Sequence, residues 1–144
     1  MDFKKLANQY RDEFLDNVLP FWLEHSQDLE FGGYFSCLDR EGKVFDTDKF
    51  IWLQGREVWM FSMLYNKVEK RQEWLDCAVL GGEFLKKYGH NGDYNWYFSL
   101  NRSGRPLVEP YNIFSYTFAT MAFGQLSLAT GSQEYADIAK KAVE

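Results

Sequence analysis

The spacing of apolar residues along the chain predicts five helices. In the first, from Asp2 to about Leu19, apolar side chains recur every three or four positions, and Pro20 is expected to help end it. The same spacing predicts three more helices at about residues 51–67, 73–88 and 112–129, and a fifth that Ser132 caps. The second helix is apolar on two sides, so we expect neighbours on both.

Two segments between these helices have turn residues flanked by short apolar runs. They are FGGYFSCLDREGKVF, residues 31–45, and WYFSLNRSGRPLV, residues 96–108, and each predicts a β-hairpin. The two are related at an offset of 62 residues, so that LDREGK in the first answers LNRSGR in the second. The chain therefore repeats a helix, hairpin and helix unit, and such units stack or close into a ring because they cannot cover their own apolar faces.

Composition excludes several classes of protein. The net charge of -5, without a dense basic stripe, argues against a nucleic-acid partner. No apolar run has the length of a membrane span, and the charged, amphipathic start is unlike a signal peptide, which favours a soluble cytoplasmic protein. Two cysteines and two histidines, with no phosphate-binding or zinc motif, lead us to expect neither a metal nor a cofactor.

The segment DTDKFIWLQGREVWMFS concentrates polar and aromatic side chains at the start of the second helix. Arg56 stands among aromatic residues, so it either pairs with a carboxylate or faces a cavity that receives a polar ligand. Gly55 is costly within a helix, which is explained if a backbone or a ligand approaches closely. The 19% aromatic content fits a large core, or flat faces that stack on sugar rings, and both interpretations stay open.

A second candidate segment, EPYNIFSYTFATMAF, lies at the start of the fourth helix. It places Tyr111, Asn112, Ser115 and Tyr116 where free N–H groups and hydroxyls can bind a polar ligand. Alternatively, Ser115 is only an intrahelical hydroxyl and Tyr116 only a core ring. His25, just after the first helix, favours a structural or exposed role, and His90, in a Gly- and Asn-rich loop, is expected to be solvent-exposed.

The stretch FGGYFSCLDREGKVFDTDKFIWLQGREVWMFSMLYN, followed by LNRSGRPLVEPYNIFSYTFATMAFGQLSLATG, closely resembles the N-acylglucosamine 2-epimerase family. The resemblance covers essentially the whole chain. It implies an all-α fold, a partial (α/α)6 barrel with short β-hairpins between the helices. Because family members are longer and the last helix lacks a stop signal, we expect residues 1–144 to be the N-terminal part of a single, truncated barrel domain.

The resemblance also implies a reaction, the conversion of N-acetylglucosamine to N-acetylmannosamine by deprotonation and reprotonation at carbon 2. Arg56, which matches the arginine of the family's WLQGR motif, would be the catalytic residue that stabilises the negative intermediate. From the two candidate segments, we expect Trp52, Tyr111, Ser115 and Tyr116 to bind the substrate. The family takes its base and acid from two histidines later in the chain that have no counterpart here, so we expect this chain alone to be inactive. The implied ligand is an amino sugar, and a homodimer is the assembly that the family suggests.

Other functions remain open at this point. The same enediol chemistry would serve an aldose–ketose isomerase or a cellobiose-type 2-epimerase on the same barrel. The aromatic content and Arg56 would also suffice for a sugar-binding or protein-binding module without catalysis. A glycoside hydrolase would need two carboxylates at a defined separation, for which Asp46 and Asp48 are the candidates.

Overall fold

The N-terminal helical segment is longer than the sequence predicts. The computed structural model describes residues 1–143, and in it α1 (Phe3–Glu13) continues through a π-helical turn (Phe14–Val18) into α2 (Leu19–His25). The prediction that Pro20 helps to end this helix was wrong. Pro20 lies in the first turn of α2, directly after the wider π turn, and a proline there sacrifices little hydrogen bonding.

The other predicted elements are present with small shifts at their ends. The remaining helices are α3 (Ile51–Lys67), α4 (Gln72–Tyr88), α5 (Phe114–Thr130) and α6 (Gln133–Lys141). Both hairpins are confirmed: β1 (Cys37–Leu38) pairs antiparallel with β2 (Val44–Asp46), and β4 (Ser99–Leu100) with β5 (Pro106–Val108). The sequence did not indicate β3 (Lys49–Phe50), which pairs with β4 and makes the second hairpin a three-stranded sheet.

The two hairpin turns have the same hydrogen bonds and the same contact with a helix end. The Asp39 N–H donates to the Lys43 carbonyl at 3.0 Å, and the Asn101 N–H donates to the Arg105 carbonyl at 2.8 Å. Gly42 and Gly104 have φ of 83° and 90°, and a Cβ on either would overlap an aromatic ring at the end of the preceding helix, His25 or Tyr88. The repeat found in the sequence is therefore a structural repeat.

Helices α3 and α5 lie side by side and make the most extensive contact in the structure. Near the start of α3, Gly55 is so close to α5 that a Cβ would lie 2.9 Å from the Phe118 carbonyl oxygen. Near its end, Asn66 Nδ2 donates to the Gln125 carbonyl at 3.0 Å, so the two helices run parallel. α4 packs on both of them, which confirms that α3 has neighbours on two sides.

A buried ionic cluster ties the second hairpin and β3 to the loop that follows α2. Lys49 Nζ, which is fully buried, donates to Asp28 Oδ2 at 2.9 Å and to the carbonyls of Gly32 and Arg102. Arg102 donates to both Asp28 oxygens. Burial alone would raise the pKa of Asp28, but the hydrogen bonds from Arg102 and Lys49 outweigh it and lower that pKa. Three segments far apart in the sequence thus meet at one buried carboxylate.

Within residues 1–143, no helix combines the length and the apolar character that crossing a bilayer requires.

Candidate functional site

A groove of about 250 Å³ separates the N-terminal helical segment from α3. Its first wall is apolar and includes Phe14, Val18 and Trp22. Its other wall is one face of α3, on which Arg56 and Glu57 lie between apolar side chains, and Ser36 of the first hairpin also lines the groove. An apolar wall opposite a few polar groups is the usual composition of a small-molecule site.

Arg56 lines this groove with an exposed side chain. In the described part of the chain, no carboxylate oxygen lies within 4.0 Å of its guanidinium. The sequence left open whether Arg56 pairs with a carboxylate or faces a ligand cavity. Within residues 1–143 it pairs with no carboxylate. An unpaired guanidinium in a groove can donate several hydrogen bonds to the oxygens of an anionic or polar ligand.

The rest of the WLQGR motif supports the fold. Gln54 is fully buried, and its amide bonds both backbone groups of Tyr34, accepting from the N–H at 2.8 Å and donating to the carbonyl at 2.9 Å. Gly55 allows the close approach of α5, so the close neighbour expected at this glycine is a backbone. The Trp52 ring packs against Phe118, with ring centroids 5.9 Å apart. Of the motif, Leu53 and Arg56 line the groove, and Arg56 is the motif's only charged residue.

Glu57 is a feature of the groove that the sequence analysis missed. It is half-buried, and its Oε1 lies 2.5 Å from the hydroxyl of Ser26 at the end of α2. Burial raises the pKa of Glu57 to about 8, although the hydrogen bond with Ser26 acts in the opposite direction. Its position next to Arg56 is visible in the sequence, but Ser26 is 31 residues away, and only the fold brings the two together.

The predicted sugar-binding residues around α5 lie elsewhere. Tyr111 and Tyr116 line a separate hollow of about 450 Å³ before and at the start of α5. The helix begins at Phe114, so Tyr111 lies in the preceding loop, where it is 67% exposed. Tyr116 Oη donates to Asn95 Oδ1 at 3.3 Å, while Ser115 is buried. Of the candidate residues, Arg56 therefore lines one hollow and Tyr111 and Tyr116 line another.

The two histidines serve the packing of the fold. His25 lies beside Phe21 and under Gly42, as expected for a structural residue. The expectation that His90 is solvent-exposed was wrong, because its ring stacks on Tyr94 at 4.6 Å and is half-buried. Burial lowers the pKa of His90, although a hydrogen bond with the backbone of Lys86 opposes this. His90 is less exposed than expected because the aromatic rings of its own loop pack against it.

The acidic residues of the first hairpin have local roles. Asp46 is exposed, and its Oδ1 accepts from the Asp48 N–H at 2.9 Å, which is a turn hydrogen bond. In residues 1–143, no three His, Cys, Asp or Glu side chains lie together as potential metal ligands.

Comparison with known proteins identifies related chains. The family model described as N-acylglucosamine 2-epimerase (GlcNAc 2-epimerase) matches residues 33–144. The chain is 47% identical over 128 residues to N-acylglucosamine 2-epimerase of Mus musculus, a match covering 86% of this chain and 30% of the mouse protein. It is 27% identical over 131 residues to cellobiose 2-epimerase of Bacteroides fragilis, covering 90% of this chain and 33% of that protein.

Among solved structures, cellobiose 2-epimerase from Bacillus thermoamylovorans superposes with a TM-score of 0.88 at 27% identity. The match covers 97% of this chain and 36% of that structure. The chain thus spans about a third of the length of each of these relatives.

Proposed function

The chain belongs to the N-acylglucosamine 2-epimerase family, and from this premise we propose that the whole protein interconverts N-acetylglucosamine and N-acetylmannosamine. The observation that supports a catalytic role for this part of the protein is the unpaired Arg56 guanidinium in a groove with an apolar wall. The relatives named for N-acylglucosamine are much more similar to this chain than those named for cellobiose, which favours the amino sugar as substrate.

The reaction requires three functions from the protein. A base removes the proton from carbon 2 of the open-chain aldehyde, a donor stabilises the resulting enolate oxygen at carbon 1, and an acid returns a proton to the opposite face. Arg56 performs the second function, because a fixed cation beside the developing negative charge stabilises the intermediate more than the substrate. His25 and His90 are engaged in packing, so we assign the base and the acid to the other two-thirds of the protein.

The same proposal covers the architecture and the setting. α3 and α5 would be neighbouring inner helices of an (α/α)6 barrel, with α4 in the outer layer, since α3 and α5 are parallel and α4 packs on both. The protein would act in the cytoplasm, with an amino sugar as ligand and a homodimer as assembly. Trp52, Tyr111, Ser115 and Tyr116 stay predicted sugar-binding residues, of which Tyr111 and Tyr116 line an open hollow.

The proposal is tested with the whole protein and N-acetylglucosamine in deuterated water. We expect deuterium at carbon 2 of both sugars, measured as loss of the proton signal by NMR. Arg56→Ala should lower kcat about a hundredfold or more, because one donor to the enolate is lost. Arg40→Ala, which changes an exposed arginine in the first hairpin turn, is the matched control and should retain activity. Absence of label at carbon 2, or full activity of Arg56→Ala, would contradict the proposal.

The second candidate function is the 2-epimerisation of β-linked disaccharides such as cellobiose. It is supported by the superposition of this chain on a cellobiose 2-epimerase. Measuring kcat/KM for N-acetylglucosamine and for cellobiose on the same preparation separates the two. A higher value for cellobiose would reverse our preference.

A further inference from the structure

The hydroxyl of Ser26 has two very close oxygen neighbours. Ser26 Oγ lies 2.6 Å from the carbonyl oxygen of Trp22, one turn earlier in the helix, and 2.5 Å from Glu57 Oε1. A carbonyl can only accept, and a serine hydroxyl has one hydrogen to donate. One hydrogen shared between the two oxygens gives at best a weaker, bifurcated bond, so two full hydrogen bonds at these distances require a second proton. Glu57 is the other group that can carry it.

The alternative arrangement is unfavourable. If Glu57 were ionised, it could only accept, and Ser26 would have to donate to it. The oxygens of Ser26 and Trp22 would then lie 2.6 Å apart without a proton between them, in a part-buried place where such repulsion is poorly screened. The neutral acid satisfies all three groups: Glu57 donates to Ser26, and Ser26 donates to Trp22.

We propose that Glu57 is held as a neutral carboxylic acid at neutral pH, donating its proton to Ser26, and that it thereby leaves Arg56 free for the substrate. Glu57 is a positioning residue here, because it takes no proton from the sugar and acts through Arg56. The second half of this inference rests on the proposed function of Arg56, whereas the protonation state of Glu57 does not.

The groups around Glu57 favour the neutral form. The wall formed by the N-terminal helical segment presents only apolar side chains, among them Phe14 and Trp22. The ionisable groups of the first loop and α4 that interact with Glu57 are Tyr34 and Cys77, and burial, the largest cause, raises the pKa of each. Both are therefore neutral as well. The same desolvation raises the pKa of Glu57, so the geometry and the electrostatics agree.

Arg56 is the charged neighbour of Glu57 on α3 and lines the same groove. A carboxylate at position 57 would attract the guanidinium and repel the negative charge that develops on the enolate oxygen, and both effects would weaken transition-state binding. A neutral acid has neither effect. The charge state of Glu57 therefore determines how strongly Arg56 stabilises negative charge on the substrate.

The first test measures the ionisation of Glu57 directly. In the whole protein with ¹³C-labelled glutamate carboxyls, the Glu57 signal is assigned by its loss in Glu57→Gln and followed from pH 4 to pH 10. We expect its midpoint near pH 8, the value to which burial raises this pKa. A midpoint near the ordinary value of 4.5 would overturn the inference.

The second test is the pH dependence of catalysis. Glu57→Gln keeps an uncharged donor to Ser26 but cannot ionise, so the ratio of its kcat/KM to that of the wild type should rise about tenfold between pH 6.5 and pH 9. Glu41→Gln, in an exposed hairpin turn, should show a constant ratio. A constant ratio for Glu57→Gln would overturn the second half of the inference, that neutral Glu57 leaves Arg56 free for the substrate.

The two proposals fail separately. If Glu57 titrates near pH 4.5 while Arg56→Ala still abolishes labelling at carbon 2, only this inference is lost. If no label enters the sugar, the proposed function is lost, and the carboxyl titration still decides the state of Glu57.

Discussion

The two repeats have the same backbone architecture but different chemistry. In both, a loop after a helix leads into a hairpin whose glycine packs on an aromatic ring. Tyr34 and Trp96 occupy equivalent positions, and both are completely buried. The Tyr34 hydroxyl, however, donates to the Cys77 carbonyl, whereas Trp96 Nε1 is buried without a partner in the described residues.

The contrast extends to the loops and to helices α3 and α5. The first loop is held by the ionic cluster of Asp28, Lys49 and Arg102, and the second by the rings of His90 and Tyr94 stacked beside Trp96. At the same offset of 62 residues, Arg56 and Glu57 of α3 correspond to Phe118 and Ala119 of α5. The repeat therefore provides a scaffold twice, and the first copy carries the charges from which a site can be built.

The largest effect is expected where the first repeat has a buried charge and the second does not. Lys49→Met removes one of the two cations around buried Asp28 and should lower the free energy of unfolding by about 3 kcal/mol. Tyr111→Ala changes the equivalent, exposed position and should cost less than about 1 kcal/mol. Urea unfolding of both variants of the whole protein measures the difference. Equal losses would mean that the ionic cluster contributes little.

The turn glycines test the part of the comparison that is the same in both repeats. Gly42→Ala and Gly104→Ala each combine a strained positive φ with overlap on a ring, so each should destabilise by about 2 kcal/mol. Gly92→Ala is the matched control, since its φ is 94° but a Cβ there meets open space. Thermal unfolding should rank the control as the mildest change. A mild effect at only one of the two turns would show that the repeats are not equivalent.

A smaller effect, which depends on pH, is expected at Glu57. Its pKa is raised from 4.5 in the unfolded chain to about 8 in the folded one, so between these values the folded state binds more protons than the unfolded state. Wild-type stability should therefore fall as pH rises through this window and level off above it. Because Glu57 is partly exposed, we expect Glu57→Gln to gain only about 1–2 kcal/mol on the wild type from pH 5 to pH 8.

Urea midpoints of the two proteins at pH 5, 6.5 and 8 measure this difference. The equivalent position in the second repeat is Ala119, which has no ionisable group, so no comparable trend arises there. A difference that stays constant over this range would mean that Glu57 titrates normally in the folded protein.

Most of the fold could be predicted from local pattern, and the failures have local causes. The boundaries of α3 and α4 follow from apolar spacing, and the hairpin turns from their glycines. Pro20 misled the prediction because the π turn that accommodates it has no simple sequence signal. The strand β3 was missed because a two-residue strand is too short to show alternation, and its partner lies about 50 residues away.

The sequence by itself determined the helices, the hairpins, their repeat and the candidate arginine, because each depends on the spacing of residues near one another in the chain. Only the tertiary structure decided that Gly55 faces α5, that Tyr111 and Tyr116 line a hollow apart from Arg56, and that Ser26 meets Glu57. The physical reason is that burial and proton sharing depend on which distant side chains meet. Local sequence pattern gives no information about contacts between residues that are far apart in the chain.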